Sequence, residues 1–201
     1  MATGHLVTIA KAGLRRFIAG MELQRHPGSP PSPVERIEAL AVHLPDGKFS
    51  LVFTLLGDIE RVILPPPGKS VRSDGLWRST CLEAFIRPPR GDGYFELNFA
   101  PGGGWAAYRF DRYRSGMKAL DVPPPIISSV RGTTHYGLVA GIDLAAEFEL
   151  APWETWLGGL SAVIEADNGS LSYWALAHPP GKPDFHHPDC FTLELASPNG
   201  P

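Results

Sequence analysis

Punctuation by proline and glycine is what most limits the folds open to this chain. Clusters recur at 26–33 (HPGSPPSP), 65–68 (PPPG), 88–93 (PPRGDG), 101–104 (PGGG) and 123–125 (PPP). The 22 glycines and 21 prolines are about a fifth of the 201 residues, against a usual share of roughly 12%. Proline removes a backbone donor and clashes with the preceding helical turn, and glycine disfavours a helix interior. Long helices therefore do not fit between the clusters. With 43% apolar and 19% charged residues the composition is that of a folded chain, not a disordered one. The length suits one sizeable core, and no compositional shift divides it, so residues 1–201 read as a single domain with the clusters as its loops.

The segments between breakers read as strands. Val34–Leu44 is rich in β-branched and apolar residues, Pro45-Asp46-Gly47 is a turn, and Phe49–Leu56 alternates, so 34–44 and 48–56 form a hairpin. Ile59–Leu64 continues extended. Ile126–Arg131 and His135–Ile142 are joined by Gly132-Thr133-Thr134, and Leu160–Ala166 and Leu171–Ala177 flank the turn Asp167-Asn168-Gly169, with a last strand at Cys190–Leu195. Helix is confined to short pieces at 111–117 and 143–150. Many short strands with turns every 8–12 residues point to an all-β, two-sheet antiparallel β-sandwich.

Charge and patterning exclude several classes. Eighteen Lys and Arg against 21 Asp and Glu give a net charge of −3, which supplies no bulk attraction for nucleic acid. No window of 18 apolar residues exists, so no membrane span is expected. Lys11, Arg15 and Arg16 lie within and after the first apolar stretch instead of before it, unlike a secretory signal. The chain is read as cytoplasmic, with Cys81 and Cys190 as buried thiols and a disulfide between them as the alternative.

Three strands in a row, Cys81–Arg87, Tyr94–Ala100 and Trp105–Asp111, carry the chemistry. Side chains alternate across a strand. Leu82, Ala84 and Ile86, then Phe95, Leu97 and Phe99, then Ala106, Tyr108 and Phe110 make one apolar face. The other face combines Glu83, Glu96, Asn98 and Arg109 with Phe85, Tyr94 and Trp105, and Trp77 stands just before it. An indole suits the CH face of a sugar ring. Carboxylate, amide and guanidinium suit its hydroxyls, through the stronger charge-assisted bonds. The plainer reading is a Glu83–Arg109 ion pair on a solvated sheet, at most ~1 kcal/mol.

The runs LWRSTCLEAF (76–85), YFELNFAP (94–101), WAAYRFDRYRSGM (105–117) and YWALAHPPGKPDFHHPDCF (173–191) resemble DOMON-like domains related to family 9 carbohydrate-binding modules, over roughly 35–196. The resemblance implies a sandwich of two antiparallel sheets. In its sugar-binding members two tryptophans enclose a terminal sugar while a carboxylate, an arginine and an amide bond its hydroxyls. Carried over, Trp77 is a stacking residue, Glu83 the carboxylate and Arg109 the guanidinium. Trp174 is the second indole, with Asn168 a nearby amide. Thr80 stands where the wider pattern has an aspartate, which weakens an expected calcium site.

Other chemistries compete. His178, His186, His187, Asp189 and Cys190 crowd one segment, either a rigid loop or a metal or ligand contact, though the spacing matches no standard zinc site. Some DOMON relatives hold a b-type haem between methionine and histidine. Met21 or Met117 with His186 or His187 would serve that role here. Glu83 with Glu96 resembles a glycosidase pair only in residue type. Gly102-Gly103-Gly104 opens no helix and so is not a phosphate loop. Arg109, Arg112, Arg114 and Lys118 form a basic patch, either a solvated rim or a preference for an anionic sugar. Trp153 and Trp156 either seal the core or bind. The expectation is a non-catalytic module holding a saccharide on an open sheet face through Trp77, Glu83, Asn98, Arg109 and Trp174, without a cofactor. The alternatives are a haem-binding redox module or a protein-interaction domain.

Overall fold

The computed structural model describes residues 20–44, 47–145 and 155–196. Among these residues thirteen strands occur in order: β1 Met21–Arg25, β2 Val34–Leu44, β3 Lys48–Gly57, β4 Val71–Arg72, β5 Cys81–Arg87, β6 Tyr94–Phe99, β7 Gly104–Phe110, β8 Lys118–Ala119, β9 Ile126–Arg131, β10 His135–Asp143, β11 Trp156–Glu165, β12 Leu171–Ala175 and β13 Leu193–Leu195. The fold is all-β. The 34–44/48–56 hairpin forms in continuous register from Leu44↔Lys48 to Arg36↔Leu56. Ile59–Leu64 is not a strand: Ile59–Arg61 is one 3-10 turn, and Val62 makes an isolated bridge to Ala166. Residues 111–117 are a tight reversal bridged Arg112↔Ser115 instead of a helix. Most of the helix expected at 143–150 lies outside the described residues, as does Trp153. Trp156 is fully buried at the start of β11.

The sheet differs from the sandwich expected. One hydrogen-bonded path runs β4-β7-β6-β5-β11-β12-β1-β2-β3-β10-β9, with β13 on β11 and β8 on β7. The continuity comes from β1, which pairs with β12 through Gln24 and Arg25 and with β2 through Met21, Glu22 and Leu23. MELQR carries no alternation that announces a strand, and only Leu23 within it is buried. The sheet is also mixed, because β4 runs parallel to β7. It curls so that its two limbs share one apolar core. Phe49, Leu51, Phe53 and Leu55 of β3 enter it from one limb, and Leu82, Ala84 and Ile86 of β5 with Leu160, Ala162 and Ile164 of β11 enter from the other. Each of the larger of these side chains contributes roughly 1.5–3 kcal/mol by leaving water.

Register decides what the other face of the site limb carries. β5 pairs with β6 as Leu82↔Phe99, Glu83↔Asn98 and Ala84↔Leu97, so Glu83 and Asn98 do share a face. β6 pairs with β7 as Phe99↔Trp105, Leu97↔Ala107 and Phe95↔Arg109. Directly opposed residues point the same way. Trp105 and Ala107 therefore join the core, with the Arg72 guanidinium 4.2 Å over the Trp105 ring. Ala106, Tyr108 and Phe110 face the other way. Arg109 belongs to the core side, exposed near the end of β7, and the expectation that it stands beside Glu83 is corrected. Both sets of β7 side chains are largely apolar, so alternation does not choose between them. The four-residue loop 100–103 does.

Candidate ligand-binding site

The face opposite the core is a cavity floor, not an open sheet. The reversal 111–117 and the long loop after β12 fold over it and enclose about 370 Å³, within the range of small-ligand sites. Glu83, Glu96, Phe110, Val163 and Tyr173 rise from five adjacent strands, and Trp77, Arg114, Met117, Pro183, Phe185 and His186 wall them in. Glu83 is 2% exposed, Glu96 5% and Asn98 0%.

The carboxylates sit in an apolar frame with few partners. Ser161 Oγ reaches Glu83 Oε2 only at 3.5 Å, and Glu83 Oε1 has no partner among protein N–H and O–H groups. Burial first, and the charge of Glu96 second, push the Glu83 carboxyl up to about 8. Glu96 is raised as well, chiefly by burial, although Asn98 Nδ2 donates to its Oε1 at 2.7 Å. Asn98 Oδ1 is left without a partner. An unpaired buried polar group is costly, so the floor holds carboxyl and amide oxygens short of partners.

A second chain of bonds fixes His186. Arg114 N donates to Tyr94 Oη at 3.2 Å, and Tyr94 Oη lies 2.7 Å from His186 Nδ1. With the phenol proton directed to Nδ1, the imidazole carries its hydrogen on Nε2, which faces Glu96 Oε2 at 3.7 Å. Burial, then the Arg114 charge, lowers His186 to about 4, so the ring is neutral. Arg114 adopts φ 48, the left-handed region that L-residues occupy at a cost of about 1–2 kcal/mol. That conformation aims its N–H at Tyr94 while its guanidinium grips Asp184 at 2.7 Å. Asp184 also accepts from the Tyr113 hydroxyl and from His186 N. The ion pair thus ties the two covering segments together.

Trp77 is the aromatic rim. It sits on the 3-10 turn Leu76–Arg78, entered through Gly75 at φ 72, a backbone conformation natural to glycine. It is 38% exposed and meets Tyr108 edge-on at 6.4 Å. Tyr108 is itself anchored by donating to Asp74 Oδ1 at 2.6 Å.

The five residues singled out from the sequence divide. Trp77 and Glu83 line the cavity, and Asn98 lies beneath it between the two carboxylates. Arg109 does not. Trp174 is buried in the main core, its Nε1 donating to Ser172 Oγ, and its neighbour Tyr173 faces the cavity instead. Asn168 is in the exposed turn before β12, where its Oδ1 accepts from Ser170 N. Sequence reasoning did not assemble Glu96, Tyr173, Phe185, His186 and Arg114 into one wall. Glu96 and His186 were visible as candidates, but the loop that brings His186 over β6 has no local signature.

The metal readings find little purchase. Thr80 Oγ1 accepts from Glu165 N, a structural bond. Among the described residues no three His, Cys, Asp or Glu converge as metal ligands would. His178 Nε2 bonds Gln24 O, and His187 Nδ1 accepts from Asp189 N. Cys81 and Cys190 are buried and free, so the disulfide alternative is not realised.

No family model matches this chain, and no curated protein matches it by sequence. Its fold does match solved structures. One, from Bacteroides uniformis, was solved as a candidate carbohydrate-binding protein. It superposes with a TM-score of 0.63 at 16% identity, covering 89% of this chain and 86% of that one. Another is a family 9 carbohydrate-binding module from Caldicellulosiruptor kristjanssonii in complex with cellotriose, with a TM-score of 0.54 at 10% identity, covering 89% and 82%. The curled β-fold is therefore similar to that of a family 9 carbohydrate-binding module.

Proposed function

We propose that this protein is a non-catalytic carbohydrate-binding module whose ligand is a saccharide or glycan-derived molecule seated in the cavity over β5, β6 and β7. The observation that carries this is a carboxyl oxygen, Glu83 Oε1, buried with no N–H or O–H partner at the floor of an aromatic-walled cavity of about 370 Å³. Sugar hydroxyls both donate and accept, so they can complete such groups, and an accessible indole at Trp77 offers a flat surface to the CH face of a ring. The fold shared with a module solved with cellotriose supports the same reading.

The placement of the carboxylates supports the non-catalytic reading. Glu83 and Glu96 rise from neighbouring strands of one floor. A glycosidase pair instead flanks the scissile bond from both sides. The free thiols fit the cytoplasmic setting read from the sequence. The haem alternative has one point in its favour, that Met117 and His186 line the same cavity. The residues do not fit that group well: His186 Nδ1 is taken by Tyr94, and its Nε2–H turns to Glu96 on the floor.

Titration calorimetry with mono- and oligosaccharides tests the proposal. Dissociation constants on the order of micromolar to millimolar are expected, weakened at least about tenfold by Trp77→Ala and by Glu83→Ala. Wild-type binding that both variants retain in full would place the ligand elsewhere.

A further inference from the structure

The cavity's charge points to a narrower ligand class than neutral sugars, and the argument rests on the saccharide reading above. The groups that face it are Glu83, Glu96, Arg114 and His186. Arg114 is occupied by Asp184 through two nitrogens, at 2.7 and 3.1 Å. His186 is neutral. The other members of the basic patch, Arg109, Arg112 and Lys118, do not line the cavity: Lys118 pairs with Asp111 at 3.8 Å, and Arg109 is on the core side of β7. The site therefore holds two carboxyls and no uncommitted cation. Its walls are aromatic or apolar: Trp77, Phe110, Tyr173 and Phe185, with Met117 at the mouth. Carboxylates below and ring faces around make a setting that attracts an ammonium group.

We infer that the cavity selects an amine-bearing ligand, an amino sugar or its glycoside, with the ammonium over Glu83 and Glu96 and the ring against Trp77. Glu83 Oε1, buried and with no N–H or O–H donor, is the acceptor the ammonium completes. Its approach lowers the carboxyls' proton affinity, so binding releases a proton from the floor. A neutral sugar leaves that proton in place.

The test is calorimetry on the full chain near pH 7, with methyl glucosaminide against methyl glucoside, which carries a hydroxyl where the other carries the amine. Repeating it in buffers of different ionisation enthalpy counts protons. The amine is expected to bind at least about tenfold tighter, with net proton release that the neutral glycoside does not show. Glu83→Gln and Glu96→Gln, both close in shape to the parent, each shrink that preference to within roughly threefold. Equal affinity for the two glycosides overturns the amine inference and leaves the saccharide reading standing. Failure of both to bind, with the neutral sugars above also silent, overturns both. A preference that survives both substitutions shows the amine is held elsewhere and overturns the assignment.

Discussion

Tyr94 Oη lies 2.7 Å from His186 Nδ1 and is itself reached by the backbone N–H of Arg114. This one phenol joins β6 to both segments that cover the cavity. Tyr94→Phe keeps the ring's stack on Phe110, 4.8 Å away, but leaves a buried imidazole nitrogen unpaired. A loss of about 1–3 kcal/mol is expected, read as a lower urea midpoint at unchanged m-value. Nitrogen-15 spectra should show His186 as the Nε2–H form in wild type and as a mixture in the variant. An unchanged tautomer would mean that Tyr94 does not set it.

The pH dependence of stability has a definite sign. Glu83 titrates at about 8 when folded and near 4.5 when unfolded, so the native state holds a proton that the unfolded chain has lost. Stability then falls as pH rises between those values, by up to about 1.4 kcal/mol per pH unit. Glu96 acts in the same direction. His186 works the other way: lowered from 6.5 to about 4, it costs stability as pH drops through that interval. Below 6.5 the slope of the carboxyls opposes that of the histidines lowered by burial, His43 and His178 acting with His186, and between 6.5 and 8 the carboxyls dominate. The melting temperature should decline from pH 6.5 to 8, and the thiols of Cys81 and Cys190, both raised by burial, extend the decline above that. Glu83→Gln should flatten the decline and melt higher than wild type at pH 8.5. A wild-type melting temperature that rises across that range contradicts this.

The tryptophans should separate by role. Trp174→Ala empties a core position and is expected to cost about 3–5 kcal/mol. Trp77→Ala, at the solvent rim, should change the unfolding free energy by less than about 1 kcal/mol while weakening ligand binding. Paired denaturation and binding curves check both. A stability loss at Trp77 as large as that at Trp174 would mean the indole is structural.

Arg109 and Arg114 make a parallel contrast. Arg109→Ala should leave saccharide affinity within roughly twofold, since its strand position faces away from the cavity. Arg114→Ala severs the tie to Asp184 and should accelerate hydrogen exchange over residues 184–190, with weaker binding. Protection unchanged in that segment would show that the ion pair does not hold the cover.

The strands were readable because breakers bound them and apolar residues alternate within them: β2, β5 and β9 match the sequence expectation end to end. What stayed hidden was long-range. The face of β7 depends on its register with β6, since Trp105 and Tyr108 are equally plausible core residues by type. β1 joins the two limbs through pairings with strands far along the chain, and a polar pentapeptide gives no hint of that. Trp174 and Tyr173 are neighbours in sequence but part company across the sheet, so choosing the indole chose the wrong side. The burial of Glu83 and Glu96 depends on a loop some ninety residues downstream of β6, which sequence spacing cannot place.

In β5 and β6 consecutive residues answer to different masters: 82, 84, 86, 95, 97 and 99 to the apolar interior, and 83, 85, 96 and 98 to the recognition side. The two messages are interleaved letter by letter along one stretch of polypeptide. Point changes at alternate positions can thus retune what is recognised without disturbing what is packed. Deleting or inserting a single residue cannot, because a one-step slip exchanges the two sets. It would drive two glutamates into hydrocarbon and turn the phenylalanines and leucines toward water. These strands tolerate rewriting but not reframing.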